Sequence, residues 1–244
     1  MIFVMSGEGP TDIGTCNNGA ATCTGNEFKP GPMTHLIDSL IQKHHDFSPL
    51  AHNRDAYILV GKGELIDRAK AKRAQRSMAL AGKGRAQETG YFYINAWMLG
   101  EIALEHEQRH GDISVAVLFR DSDGTNSTPA DWNRKLTSIM QGFSRSGHTR
   151  SVPMLPKPKS EAWLLCAAKD NPYQGCDVLE DLPGNDAALN SAKSRLDAAL
   201  DGRSSAGEIC AWLSDSEFDH NRTANQMISY EAFKTPFIEA ITRK

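Results

Sequence analysis

The chain has 244 residues, of which 40% are apolar and 23% charged, and its formal net charge is −3. These values suit one large α/β domain, or a core with a small appendage, and exclude a disordered or low-complexity chain. No apolar run reaches the roughly 18 residues a membrane-spanning helix needs, so no membrane partner is expected.

Met1 leads straight into an apolar run, without the basic start and small-residue cleavage site of a secretory leader. A cytoplasmic location is expected. Five cysteines is an odd number, and their spacings suggest no disulfide framework, so reduced thiols are expected.

In chain order, residues 1–6 read as a first strand, closed by Gly7-Glu8-Gly9-Pro10-Thr11-Asp12. Residues 14–31 read as a long loop of small and polar residues. Met33, Leu36, Ile37, Leu40 and Ile41 recur at helical spacing and predict a helix over about 32–45. Tyr57–Val60 is a second strand. A basic stretch follows, then a helix over about 87–110. Residues 113–120 are a third strand, closed by Asp121-Ser122-Asp123-Gly124.

Thr128, Pro129 and Asp131 form a helix start. Trp132, Leu136, Ile139, Met140 and Phe143 are that helix's apolar stripe. Ser151–Leu155 contains Pro153 and reads as an edge-like fourth strand. Pro156–Glu161 leads into a helix over 162–168. From about residue 171 the chain reads as short helices: 187–200, 206–213 and 230–242.

The alternation of strands and helices predicts an α/β fold with a mostly parallel four-stranded sheet flanked by helices. Residues 1–170 would be the core, and 171–244 a helical C-terminal appendage packed on it.

The first and third strands are apolar, β-branched and short, as strands buried on both faces are. Acids at their carboxyl ends would meet in the crevice where open α/β sheets bind ligands. Uncompensated, those acids would raise one another's pKa. A hard divalent cation compensates them, because such ions prefer oxygen ligands.

Basic residues are also unevenly spread. Lys62, Arg68, Lys70, Lys72, Arg73, Arg76, Lys83 and Arg85 crowd one stretch that holds only Glu64 and Asp67 as acids. They are the candidate nucleic-acid contacts, with an ordinary solvated helix face as the alternative. Cys16, Cys23 and His35 have ligand types suited to zinc, at a spacing that fits no common zinc pattern. His44, His45 and His220 read as surface residues, and Trp97 and Trp163 as core.

A first strand ending in Glu8 and a later strand ending in Asp121-x-Asp123 resemble the Toprim fold. That fold is shared by topoisomerases, primases, OLD-family nucleases and small ribosomal-RNA maturases. Glu8-Gly-Pro-Thr-Asp12 is similar to the OLD-type variant. Lys157-Pro-Lys-Ser-Glu161-Ala-Trp-Leu-Leu165 is similar to a helix start in small DUF4276-like Toprim proteins of bacteria. The resemblance spans roughly residues 1–170.

It implies Glu8, Asp12, Asp121, Asp123 and Glu161 as ligands of Mg²⁺ or Mn²⁺. Glu8, Asp121, Asp123, Lys157 and Lys159 would be catalytic in phosphodiester cleavage of DNA or RNA. A role in bacterial antiviral defence follows from the same likeness. Five acids could hold two metals about 4 Å apart, clamping attacking and leaving oxygens. Lys157 or Lys159 would offset transition-state charge.

Each residue also has a plainer role. Asp12 suits a helix cap, Asp123 a turn, Glu161 a first helical turn, and the two lysines solvent. No nucleotide-binding Gly-x-x-x-x-Gly-Lys-Ser/Thr loop is present. The alternative function is therefore a non-catalytic regulatory subunit working with an ATPase partner.

Overall fold

In a computed structural model, residues 1–9, 11–74, 87–122 and 129–243 are described. The strands are β1 (Ile2–Ser6), β2 (Gly14–Cys16), β3 (Thr22–Thr24), β4 (Phe28–Pro30), β5 (Tyr57–Val60), β6 (Ser114–Phe119) and β7 (Ser151–Met154). The first helices are α1 (Pro32–His45), α2 (Pro49–His52), α3 (Lys62–Ala74), α4 (Gln87–His110), α5 (Pro129–Ser146) and α6 (Ser160–Ala168). Four more follow: α7 (Ala192–Ala199), α8 (Ala206–Asp215), α9 (His220–Gln226) and α10 (Ile228–Thr242).

The central sheet has five strands in the order β3-β5-β1-β6-β7. Four of them run parallel, and β3 pairs antiparallel to β5 at one edge. The expected fold class holds, with a correction to the strand number. The segment expected to be a loop, 14–31, supplies the fifth strand and also a separate β2–β4 hairpin. These pieces are three residues long and polar, so they lack the apolar run that marks a strand in a sequence. β3 is ordered by pairing with β5, β2 and β4 pair with each other, and the Cys16–Cys23 disulfide ties β2 to β3. The strand expected to lie at an edge, β7, does so, where Pro153 costs little pairing.

Side chains of β1 and β6 alternate between two cores. Phe3, Met5, Val115, Val117 and Phe119 face one layer, where α1, α6 and the C-terminal helices contribute to a single apolar cluster. Ile2, Val4, Ala116 and Leu118 face the other, built from α3, α4 and α5. Burial on both faces is why these runs read as continuous apolar strings. The C-terminal residues share the first cluster through Tyr230, Phe233 and Phe237, and α10 packs on β7 while α8 packs on α1.

Two expectations about single residues are overturned. Cys16–Cys23 and Cys166–Cys176 are disulfides, leaving Cys210 as the free cysteine. Both link residues fewer than a dozen apart across a turn, a spacing with no sequence signal of its own. The first pair therefore offers no thiolates to zinc. His220 is buried rather than at the surface. It bridges Ser39 Oγ (2.8 Å) and the Tyr230 hydroxyl (2.5 Å), and burial, ahead of nearby Lys43 and Lys234, pushes its pKa down to about 3. Trp97 and Trp163 are core residues as expected. Among the described residues, no helix is long and apolar enough to cross a membrane.

The connection from β1 runs to β5 on one side, while β6 lies on the other side and leads on to β7. The strand order reverses between β1 and β6. In an open α/β sheet that reversal splays the connections apart and opens a crevice at the carboxyl ends of the two strands.

Candidate functional site

Three segments meet at this crevice: the turn after β1, the end of β6, and the start of α6. Ser160 joins them. It opens α6, where backbone N–H groups have no intrahelical acceptor. Its amide donates to Asp121 Oδ1 (3.1 Å), and its hydroxyl donates to Asp12 Oδ1 (3.2 Å). Residues 156–159 are tied to the end of β6 as well. The Ser122 amide donates to Pro158 O (3.0 Å), and Lys135 Nζ donates to Ser122 O (2.8 Å).

Asp12 owes its place to close backbone packing. The Met33 amide donates to Asp12 O (3.0 Å), and the Gly31 amide to Ile13 O (2.9 Å). A Cβ at Gly31 would collide with Asp12 O, and one at Gly14, whose φ is +126°, would collide with Lys29 O. Only glycine fits at these two positions. The loop that reads as featureless in the sequence is thus the brace that holds Asp12.

The electrostatics record the convergence. The Asp12 carboxyl is pushed up from 3.8 to about 6, mainly by burial, then by the charge of Glu161, with a smaller push from Glu8. The Ser160 hydrogen bond and Lys159 act the other way. Glu161 Oε2 is buried without a hydrogen-bond partner among the described residues. Glu8 is exposed and lines a cavity of about 280 Å³ with Gly7, Thr15, Cys16 and Lys62.

The sequence candidates therefore divide. Asp12 and Asp121 share Ser160, and Glu161 and Glu8 lie near enough to act on the Asp12 charge. Asp123 lies outside the described residues, as do Arg76, Lys83 and Arg85. Among the described residues, no group of three or more His, Cys, Asp or Glu side chains is placed to hold a metal ion. The donor set still suits a hard cation, being all oxygen, mutually repulsive, and including one buried oxygen with nothing to accept from.

Lys157 and Lys159 both reach into the C-terminal third, and Lys159 also lies near enough to Asp12 to lower its carboxyl. Lys157 pairs with Asp181 (3.2 Å) and Lys159 with Asp186 (2.6 Å), both acids from the C-terminal third.

The basic stretch divides too. Arg68 is held by Glu64 (2.8 Å) and Glu105 (2.5 and 2.8 Å), and Lys72 by Glu101. The Glu105 and Glu101 pairs stitch α3 to α4. Lys70 pairs with Asp67 on the surface (3.0 Å), and Arg73 is exposed. Lys62 stands at the cavity that Glu8 also lines.

Sequence reasoning missed Ser160 and Arg120. Ser160 was legible as a helix-start residue between two candidate positions. Arg120 was legible as a cation closing a strand buried on both faces. It is fully buried, and its Nη1 donates to Phe119 O (2.7 Å). Set against family models, curated proteins and solved structures, the chain matches no family, no curated protein and no solved structure.

Proposed function

We propose that the chain is a divalent-metal-dependent nuclease that cleaves phosphodiester bonds in DNA or RNA, as the Toprim resemblance implies. One observation carries this reading. Carboxylates from three distant segments approach one another at the strand-order reversal, and burial, then the charges of Glu161 and Glu8, raise Asp12 to about 6. A fold tolerates such a cost where the acids have a cationic partner to meet.

Asp12, Asp121 and Glu161, with Glu8 at the rim, are the residues that would hold Mg²⁺ or Mn²⁺. The ion, when bound, polarises the phosphoryl oxygens and lowers the pKa of a water. The chain's own residues do the rest. Ser160 fixes the orientation of Asp12 and Asp121 through two hydrogen bonds. Lys62 presents a positive charge at the cavity rim, where it draws the polyanion in. Lys157 and Lys159, which pair with Asp181 and Asp186 at the edge of the site, are the cations that would offset transition-state charge.

Those same two ion pairs favour a second reading, a non-catalytic regulatory subunit acting with an ATPase partner. A cytoplasmic setting belongs to either reading, and the two disulfides put it to the test, since the cytosol keeps most thiols reduced.

The deciding experiment incubates pure protein with supercoiled plasmid, single strands and structured RNA, each with Mg²⁺, Mn²⁺ or EDTA. Metal-dependent cleavage that Asp121→Asn lowers by orders of magnitude supports the nuclease. No cleavage of any substrate, with Asp121→Asn fully active in vivo, gives the regulatory reading its place.

A further inference from the structure

On the opposite face of the same two strands lies a group of hydrogen-bond donors that lack acceptors. Ser6 Oγ, the Tyr91 hydroxyl, the Asn95 side-chain amide nitrogen, and Arg120 Nε and Nη2 are all buried with no partner among the described residues. Buried polar groups are nearly always satisfied, so four such residues in one place call for a cause.

The four residues are neighbours by construction. Ser6 pairs in register with Leu118, and both face the α4 layer, as does Arg120 two residues on. Helix α4 reverses into β6 through a short turn, so its first turns lie at the carboxyl end of that strand. Tyr91 is there, with its ring centroid 5.6 Å from the Arg120 guanidinium carbon. Asn95 is one helical turn further, about 6 Å along the axis. That is close to the roughly 6.6 Å that separates residues 120 and 118 in a strand, which sets Asn95 level with Ser6.

The chemistry of the group is one-sided. A guanidinium can only donate, and the amide nitrogen likewise. The Tyr91 hydroxyl lies close enough to Arg120 to support its charge, yet neither it nor Arg120 Nε and Nη2 is in a hydrogen bond of ordinary geometry among the described residues. An uncompensated buried guanidinium is costly. Burial works against its charge, and the Tyr91 hydroxyl, then the Glu8 carboxylate, support it. What the group lacks is an acceptor with several oxygens and a negative charge.

We propose that Arg120, Tyr91, Asn95 and Ser6 form a binding pocket for a phosphate group, beside the acidic mouth and on the other face of the sheet. Arg120 supplies a forked pair of donors, the geometry suited to a phosphate, and the three neutral groups complete the shell. Entry is from the cavity that Glu8 and Lys62 line. Lys62 Nζ lies 5.3 Å from the centroid of the same Tyr91 ring. Tyr91 is itself only partly buried, and its ring stands between Arg120 and the Lys62 of the cavity. As to its natural ligand, a phosphate of the nucleic-acid backbone, the inference rests on the nuclease reading. The pocket itself does not.

The test is calorimetric titration of the full chain with inorganic phosphate and with a 5′-mononucleotide, in EDTA, so that neither metal nor cleavage enters. Wild type should bind both. Arg120→Met should weaken phosphate binding about tenfold or more, as expected for loss of hydrogen bonds to a charged group. Tyr91→Phe and Asn95→Leu should weaken it severalfold, and they keep the assay decisive if Arg120→Met fails to fold.

No phosphate binding by wild type, or equal binding by wild type and all three variants, overturns the pocket and means that water satisfies these donors. Phosphate binding by a protein that cuts nothing under any metal leaves the pocket standing and removes the nuclease. Metal-dependent cutting without phosphate binding in EDTA does the reverse.

Discussion

Replacing Asp12 with asparagine isolates the cost of gathering carboxylates at the mouth. Asp12 is raised from 3.8 to about 6, a gap that corresponds to roughly 3 kcal/mol. The direction follows from linkage. The fold favours the protonated form of Asp12, so the group's stabilising contribution is fully present below about pH 3.8 and is lost as pH rises through about 6. At neutral pH the metal-free protein carries the whole penalty. An asparagine side chain at this position cannot ionise, and its carbonyl oxygen can still accept from the Ser160 hydroxyl.

Asp12→Asn should therefore match wild type near pH 4 and exceed it at pH 7.5 by up to roughly 3 kcal/mol. For a chain of this length that is an upper bound of about 6–12 °C in Tm. The assay is denaturant unfolding of both proteins from pH 4 to 8 in EDTA, repeated with millimolar Mn²⁺. Mn²⁺ should stabilise wild type by mass action and the variant much less. A stability difference that stays flat across this pH range, or a variant less stable than wild type at pH 7.5, refutes the account of Asp12 as a repelled carboxylate.

Three further outcomes are expected. Cys16→Ser/Cys23→Ser should lower stability by about 2.5 kcal/mol, the chain-entropy value for so short a loop, as read by denaturant melts with and without dithiothreitol on wild type and variant. Lys62→Glu and Arg73→Glu should each flatten the slope of log affinity for nucleic acid against log salt by about one, whereas Arg68→Glu should cost stability by breaking its Glu64 and Glu105 pairs. Trp163→Ala should cost about 3–5 kcal/mol in chemical denaturation, because the ring is fully buried against Tyr230 and its Nε1 donates to Ser229 Oγ (2.8 Å).

The parts of the fold that local patterning controls were legible. Burial on both faces wrote β1 and β6 as unbroken apolar runs, and the limits of α1 and α4 coincide with their apolar periodicity. The parts built by distant contacts were not. The β2, β3 and β4 strands are too short and polar to signal themselves. Helix α9 is seven residues held by the Asp219 cap, whose carboxylate accepts from the Asn221 and Arg222 amides. His220 sits in a polar stretch, Asp219-His220-Asn221-Arg222, and its burial comes from Ser39, 181 residues away in sequence. At the site, acids at strand ends were legible because their position follows from the strand itself. The ion pairs of Lys157 and Lys159 depend on where residues 177–186 come to rest, which no local pattern records.

The adjacency of Arg120 and Asp121 carries the argument one step further. Consecutive strand residues point to opposite faces, so one position of register separates the donor-rich pocket under α4 from the acid-rich mouth beside α6. A phosphate lying over the end of β6 would have a fixed guanidinium on one side and carboxylates suited to a metal on the other. On the nuclease reading, neither face would work alone on a phosphodiester: the acids would repel the substrate, and the donors would hold it without activating water. Placed back to back just past the end of β6, each would offset the defect of the other. Glu8, at the end of the neighbouring β1, is the residue whose charge reaches both Arg120 and Asp12. Its removal should disturb the two faces together, whereas Asp12→Asn acts on the mouth and Tyr91→Phe on the pocket.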